Sequence, residues 1–129
     1  MAPSDLPRAA SRGQVEAAIT EALTRFERDH LGRGPRQART FVLQDVVLVR
    51  LMGVLSPAEQ QLSREPGGVE LLKQVRSRLI EGCRDALGAI IEEATGARVV
   101  TMHTDISART GERVFVFGLD QDLDARFAD

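Results

Sequence analysis

The chain is 129 residues long, carries a net charge of -2, and has neither Trp nor Tyr. That length fits one domain burying roughly two thirds of its unfolded surface, with an aliphatic core. The charge lacks the positive excess of non-specific nucleic-acid binding, and the scarcity of aromatic rings argues against base stacking. A single cysteine, Cys83, excludes an intrachain disulfide and suggests a reducing compartment.

Residues 1–10 contain two prolines ahead of any periodic pattern and read as a flexible leader. No apolar run approaches the about 18 residues that span a bilayer, and the start lacks a signal-peptide centre. A cytoplasmic protein is therefore expected, possessing one domain over residues 11–122 and an acidic tail over 123–129. Ser11 and Gln14 have capping-box spacing, and Val15, Ile19, Ala22 and Phe26 recur at helical intervals, which predicts a helix to about Leu31. Gly32, Arg33, Gly34 and Pro35 end it, since glycine takes the left-handed cap and proline cannot continue the helix.

From Arg39 to Leu55 the chain is β-branched and apolar except at Gln44-Asp45, which predicts a hairpin with arms 38–43 and 46–54. Val47, Val49 and Leu51 make one apolar face, while Arg50 interrupts the other. Ser56, Pro57 and Glu59 begin a short helix with a capping box and proline in the first turn. After Glu65-Pro66-Gly67-Gly68 a second helix is expected to run to about Thr95, roughly 40 Å at 1.5 Å per residue. Its predicted buried stripe is Val69, Leu72, Val75, Leu79, Cys83, Ala86, Ile90 and Ala94.

The last hairpin pairs Arg98–Ser107 with Gly111–Leu119. Strand alternation puts Thr101, His103 and Asp105 on one face and Val100, Met102, Thr104 and Ile106 on the other. The order α-β-β-α-α-β-β, with antiparallel hairpins packed on a long helix, reads as an α+β two-layer sandwich. The stripe left over on the long helix predicts a homodimer.

Catalytic sets do not assemble. His103 and Asp105 could supply two metal ligands where a site needs three or four, and neither Cys83 nor His30 has suitable spacing, so no metal or other cofactor is expected. Ser107, His103 and Asp105 on one strand point in parallel and stand too far apart for a triad. The chain is expected not to be an enzyme. Charge is uneven, with Arg33, Arg36, Arg39 and Arg50 around one acid, Asp45; a solvated face is the commoner reading of such a patch, and an acidic partner is the alternative.

Four ordered motifs, LGRGP at 31–35, SPAEQQL at 56–62, LLKQVR at 71–76 and HTDISARTGERVFVF at 103–117, resemble the MpsC-like family of small bacterial proteins. The resemblance covers about residues 14–122. It implies a cytosolic accessory or regulatory protein of a system that generates membrane potential and is linked to cation flux and inorganic-carbon uptake, peripheral to integral subunits. It carries over no catalytic residue. The expected ligand or partner surface is Arg33, Arg36, Arg39, Arg50, Gln60, His103, Asp105, Arg109 and Arg113, with Gly32, Gly34, Pro35 and Gly111 as structural turns. One alternative is a small-anion or metabolite binding module using Arg33, Arg50, His103 and Arg113. A further one is a nucleic-acid-binding regulator using Arg33 to Arg39, although no nucleic acid is expected.

Overall fold

Two capping boxes place the first two helices. In the computed structural model, which describes residues 10–127, the Gln14 amide donates to Ser11 Oγ at 3.1 Å and the Ser11 amide to Gln14 Oε1 at 2.8 Å, opening helix α1, Arg12–Leu31. Gly32 closes α1 at φ 99°, a left-handed conformation that costs glycine nothing. Ser56 and Glu59 make the same reciprocal pair at the start of α2, Pro57–Ser63. The expected leader lies, apart from Ala10, outside the described residues.

Strands β1, Gln37–Leu43, and β2, Val46–Met52, form the first hairpin around Gln44-Asp45; β3, Val99–Ile106, and β4, Arg113–Leu119, form the second. The second strand of each hairpin meets the other at the centre, giving one antiparallel sheet in the order β1-β2-β4-β3. Helices cover one face of it. Val47, Val49, Leu51, Phe115 and Phe117 point inward and are fully buried beneath Ile19 and Leu23 of α1 and Leu87 and Ile91 of the C-terminal helix. The fold is α+β in the expected element order, with one difference in the helices.

The expected long helix is two helices, α3, Gly68–Glu81, and α4, Arg84–Thr95. Gly82 and Cys83 close α3, their amides donating to Arg78 O at 3.2 Å and Ile80 O at 2.8 Å. Glycine favours the helix little, so a local turn can win there although the apolar period runs on. The break also rotates the buried face. α3 buries Leu72, Arg76 and Ile80, whereas Val75 and Leu79, expected inside, are 49% and 45% exposed beside Leu71 at 50%.

Val100 departs from its expected face as well. A bulge between Val99 and Thr101 inserts one residue into β3, and Val100 turns outward, 64% exposed, while Met102 and Ile106 keep the core face. Beyond residue 122 the chain still packs: Leu123 is fully buried and Phe127 lies against the core from a short 3-10 turn, Asp124–Phe127. Arg12 Nη2 pairs there with Asp124 at 3.0 Å.

The sheet ends in two outer strands, and on each a helix side chain reaches outward backbone groups. On β1, Glu16 Oε2 accepts from the Val42 amide at 2.8 Å and Arg12 donates to Val42 O. On β3, Glu92 Oε2 accepts from the Val99 amide at 2.9 Å and Arg84 Nη2 donates to Met102 O at 3.0 Å.

Candidate functional site

Three segments far apart in sequence converge on a groove of about 750 Å³. The turn after α1 brings Arg33 and Arg36, α2 and its C-cap bring Gln60 and Arg64, and the β3–β4 loop brings Arg109 and Gly111. Leu55 O anchors two of these segments, accepting from Arg33 Nη1 at 3.3 Å and from Gln60 Nε2 at 3.2 Å. Ser107 holds the loop in place, its carbonyl accepting from the Gly111 amide at 2.8 Å and its hydroxyl from the Thr110 amide at 3.2 Å.

Gly53 and Gly111 form part of the lining, at φ 73° and 74°. A Cβ at Gly53 would collide with Arg36 Nε, so the glycine is what lets the guanidinium lie there. The Val54 amide donates to Gly111 O at 3.0 Å and ties the two stretches together. No carboxylate lines the groove, and none of Arg33, Arg36, Arg64 and Arg109 pairs with one among the described residues. Four arginines without counter-charges thus line one groove and give it a positive potential.

Behind the groove lies a buried charge network. Arg76 donates to Glu59 through Nε at 2.9 Å and Nη2 at 2.7 Å, and Nη2 also reaches Val54 O at 3.2 Å. Glu27, fully buried on α1, stands 3.6 Å from Arg76 Nη1 and 3.7 Å from Arg113 Nε without a hydrogen bond to either. Arg113 donates to Thr104 Oγ1 at 2.9 Å and lies over the Phe115 ring. Burial pushes the Glu27 carboxyl above its ordinary value against the pull of Arg113 and Arg76. Burial also lowers Arg113. Partial burial opposes ionisation of Glu59 too, but Arg76 and the Ser56 amide win and hold it below its usual range. Glu59 and Gln60 are neighbours on α2, so the network fixes the helix that forms one wall of the groove.

The expected surface residues therefore divide. Arg33, Arg36, Gln60 and Arg109 come together in the groove, with Gly111 beside them. Arg39 and Arg50 are register partners on the outer sheet face, and Arg50 pairs with Glu112 at 2.5 Å. No ion pair to Asp45 forms among the described residues, so the expected cluster around that acid is replaced by the Arg50–Glu112 contact. His103 and Asp105 edge a second cavity of about 250 Å³, where Lys73 Nζ stands 3.3 Å from Asp105 Oδ1. The Ile106 amide and then Lys73 hold the Asp105 carboxyl below its usual value. Arg113 is a core residue of the network. Nothing in the sequence pattern singles out Arg64 or Glu27, whereas Arg76, at the end of the LLKQVR motif, sits midway between Leu72 and Ile80 at the spacing of a buried helix face.

A family model described as "Na+-translocating membrane potential-generating system (MpsC)" matches residues 11–121. Among curated proteins, "Uncharacterized protein YbcI" of Bacillus subtilis (strain 168) is 43% identical over 114 residues, 88% of this chain and 92% of its own length. "Uncharacterized protein YrhF" of the same organism is 28% identical over 107 residues, 82% of this chain and 88% of its own. No solved structure matches the chain.

Proposed function

Because the chain belongs to the MpsC family, the Na+-translocating membrane potential-generating system, we propose that it is a non-enzymatic accessory or regulatory protein of such a system. It docks from the cytoplasmic side on integral subunits that carry the ions. The family match is the observation that carries this reading. No helix among the described residues is long and apolar enough to cross a membrane, which agrees with a peripheral role. In this reading the protein is a homodimer paired through Leu71, Val75 and Leu79 of α3, the apolar face that its own fold leaves exposed. Affinity capture of the tagged chain from crosslinked, detergent-solubilised membranes tests the docking. Recovery of an integral transport subunit is expected, and repeated recovery of none would overturn it.

The arginine groove favours a second reading, in which the protein binds a small anion and the bound ligand tunes the docking. Thermal melts with and without a panel of anions test it. A rise in melting temperature with at least one of them is expected, and flat melts throughout would remove this reading.

A further inference from the structure

We infer that the groove between the α1–β1 turn, α2 and the β3–β4 loop is a receptor for a compact ligand carrying two phosphoryl groups. The inference rests on the anion-binding reading of that groove and names the chemistry of its ligand. Arg33, Arg36, Arg64 and Arg109 bring four guanidinium groups to one cavity with no carboxylate in its lining. A phosphate monoester group carries about -1.5 to -2 charge at neutral pH, so two neutralise four guanidiniums. A lone carboxylate supplies half as much or less. A guanidinium fork matches two phosphate oxygens, and although Arg33 Nη1 is engaged with Leu55 O, a pair of phosphoryl groups has enough oxygens for the remaining donors of arginines drawn from three segments. Thr110 adds a hydroxyl donor at the lining, whereas the Ser63 hydroxyl already donates to Gln60 O at 2.7 Å.

Size and lining restrict the rest of the ligand. At about 750 Å³ the groove is larger than an inorganic phosphate needs and falls in the range of small-molecule sites. Leu55, Val69 and Ala108 form an aliphatic wall for an organic body. No aromatic ring lines it, so nothing there stacks a nucleobase. Paired phosphoryl groups occur on soluble metabolites and also on diphosphatidyl lipid headgroups, whose two diesters carry about one negative charge each and so match the forks but only half the charge, and the two sources part in the test.

Calorimetry on the full chain uses inorganic pyrophosphate, inorganic phosphate and citrate as probes. Flotation uses phosphatidylcholine vesicles with and without cardiolipin. Pyrophosphate is expected to bind at least about tenfold more tightly than phosphate or citrate, each guanidinium contact being worth about a factor of ten. The double variant Arg36→Ala, Arg109→Ala is expected to bind about a hundredfold more weakly at an unchanged melting temperature. Arg64→Ala alone loses about tenfold, which keeps the test open should the double variant fail to fold. Arg78→Ala, an exposed arginine outside the groove, changes nothing. Selective flotation with cardiolipin but no pyrophosphate heat places the phosphoryl pair on lipid and supports the same chemistry. Citrate matching pyrophosphate overturns the phosphoryl assignment and leaves the anion reading standing. Binding by no probe and no vesicle overturns the assignment, while melts across the wider anion panel decide the broader reading separately.

Discussion

Arg76 on α3 grips Glu59 on α2 with two parallel hydrogen bonds of 2.9 and 2.7 Å, and its remaining terminal nitrogen faces the buried Glu27 carboxylate at 3.6 Å. One guanidinium thereby fastens three helices. Arg76→Ala leaves Glu27 with Arg113 alone and is expected to cost about 3–5 kcal/mol, the usual loss when one partner of a buried ion pair is removed. Urea unfolding of the variant checks this. A cost below about 1 kcal/mol, the level of a surface ion pair, would mean that the network contributes little.

The two glutamates of the network should give opposite pH signatures. Glu27 has a folded-state pKa raised above 4.5, so between 4.5 and that raised value the folded protein keeps a proton that the unfolded chain releases. Its contribution is full below 4.5 and is lost as pH rises through that window. Glu59 is lowered from 4.5, so its contribution is present above 4.5 and lost as pH falls. Unfolding free energies measured from acid to neutral pH should show the advantage of wild type over Glu27→Gln shrinking with rising pH. The advantage over Glu59→Gln should shrink with falling pH. Parallel profiles for wild type and Glu27→Gln would show that burial does not perturb that carboxyl.

Gly53 should be intolerant of any side chain. At φ 73°, Gly53→Ala places a β-carbon in left-handed backbone and against Arg36, and the backbone term alone costs about 1–2 kcal/mol. The variant is expected to melt lower and to move Arg36 out of the groove. Gly13→Ala, on the exposed first turn of α1 and with only Ser11 Oγ near its added carbon at 3.9 Å, serves as the control and should be neutral or slightly stabilising.

The exposed face of α3 makes a prediction about assembly. Val75→Glu with Leu79→Glu puts charges at two positions roughly half exposed in the folded chain. The melting temperature of the monomer should change little, while light scattering should report conversion of a dimer to a monomer. A wild-type chain that is already monomeric at high concentration would end the homodimer reading.

Local chemistry made much of the fold readable. Ser11-Gln14 and Ser56-Glu59 announce helix starts because each motif satisfies orphan amides within four residues. Gln44-Asp45 marks a turn because it is the only polar pair in a long apolar run. The break at Gly82 was hidden, since one glycine within an unbroken apolar period is compatible with either a continuous helix or a stop. The network was hidden for a different reason. Glu27, Arg76 and Arg113 are charged types that ordinarily mark solvated faces, and only their alternation with core neighbours, Leu72 and Ile80 around Arg76 and Phe115 two residues after Arg113, points inward. The groove was half readable: Arg33, Arg36, Gln60 and Arg109 stood out individually, but their convergence depends on a sheet order in which β2 and β4 are neighbours.

The side chains that occupy the outer strands bear on how the protein behaves in crowded solution. A bare strand edge is a template on which another chain can extend the sheet, and most small sheets protect theirs with a bulge or a covering loop. Here Glu16 and Arg12 close the Val42 position on β1, and Glu92 and Arg84 close Val99 and Met102 on β3, so each edge carries its own ionic seal. Four helix-borne side chains thus occupy edge positions where a further strand would pair, and on β3 the bulge between Val99 and Thr101 adds to them. Removing Glu16 and Arg12 together would open one flank to strand addition while the interior stayed packed.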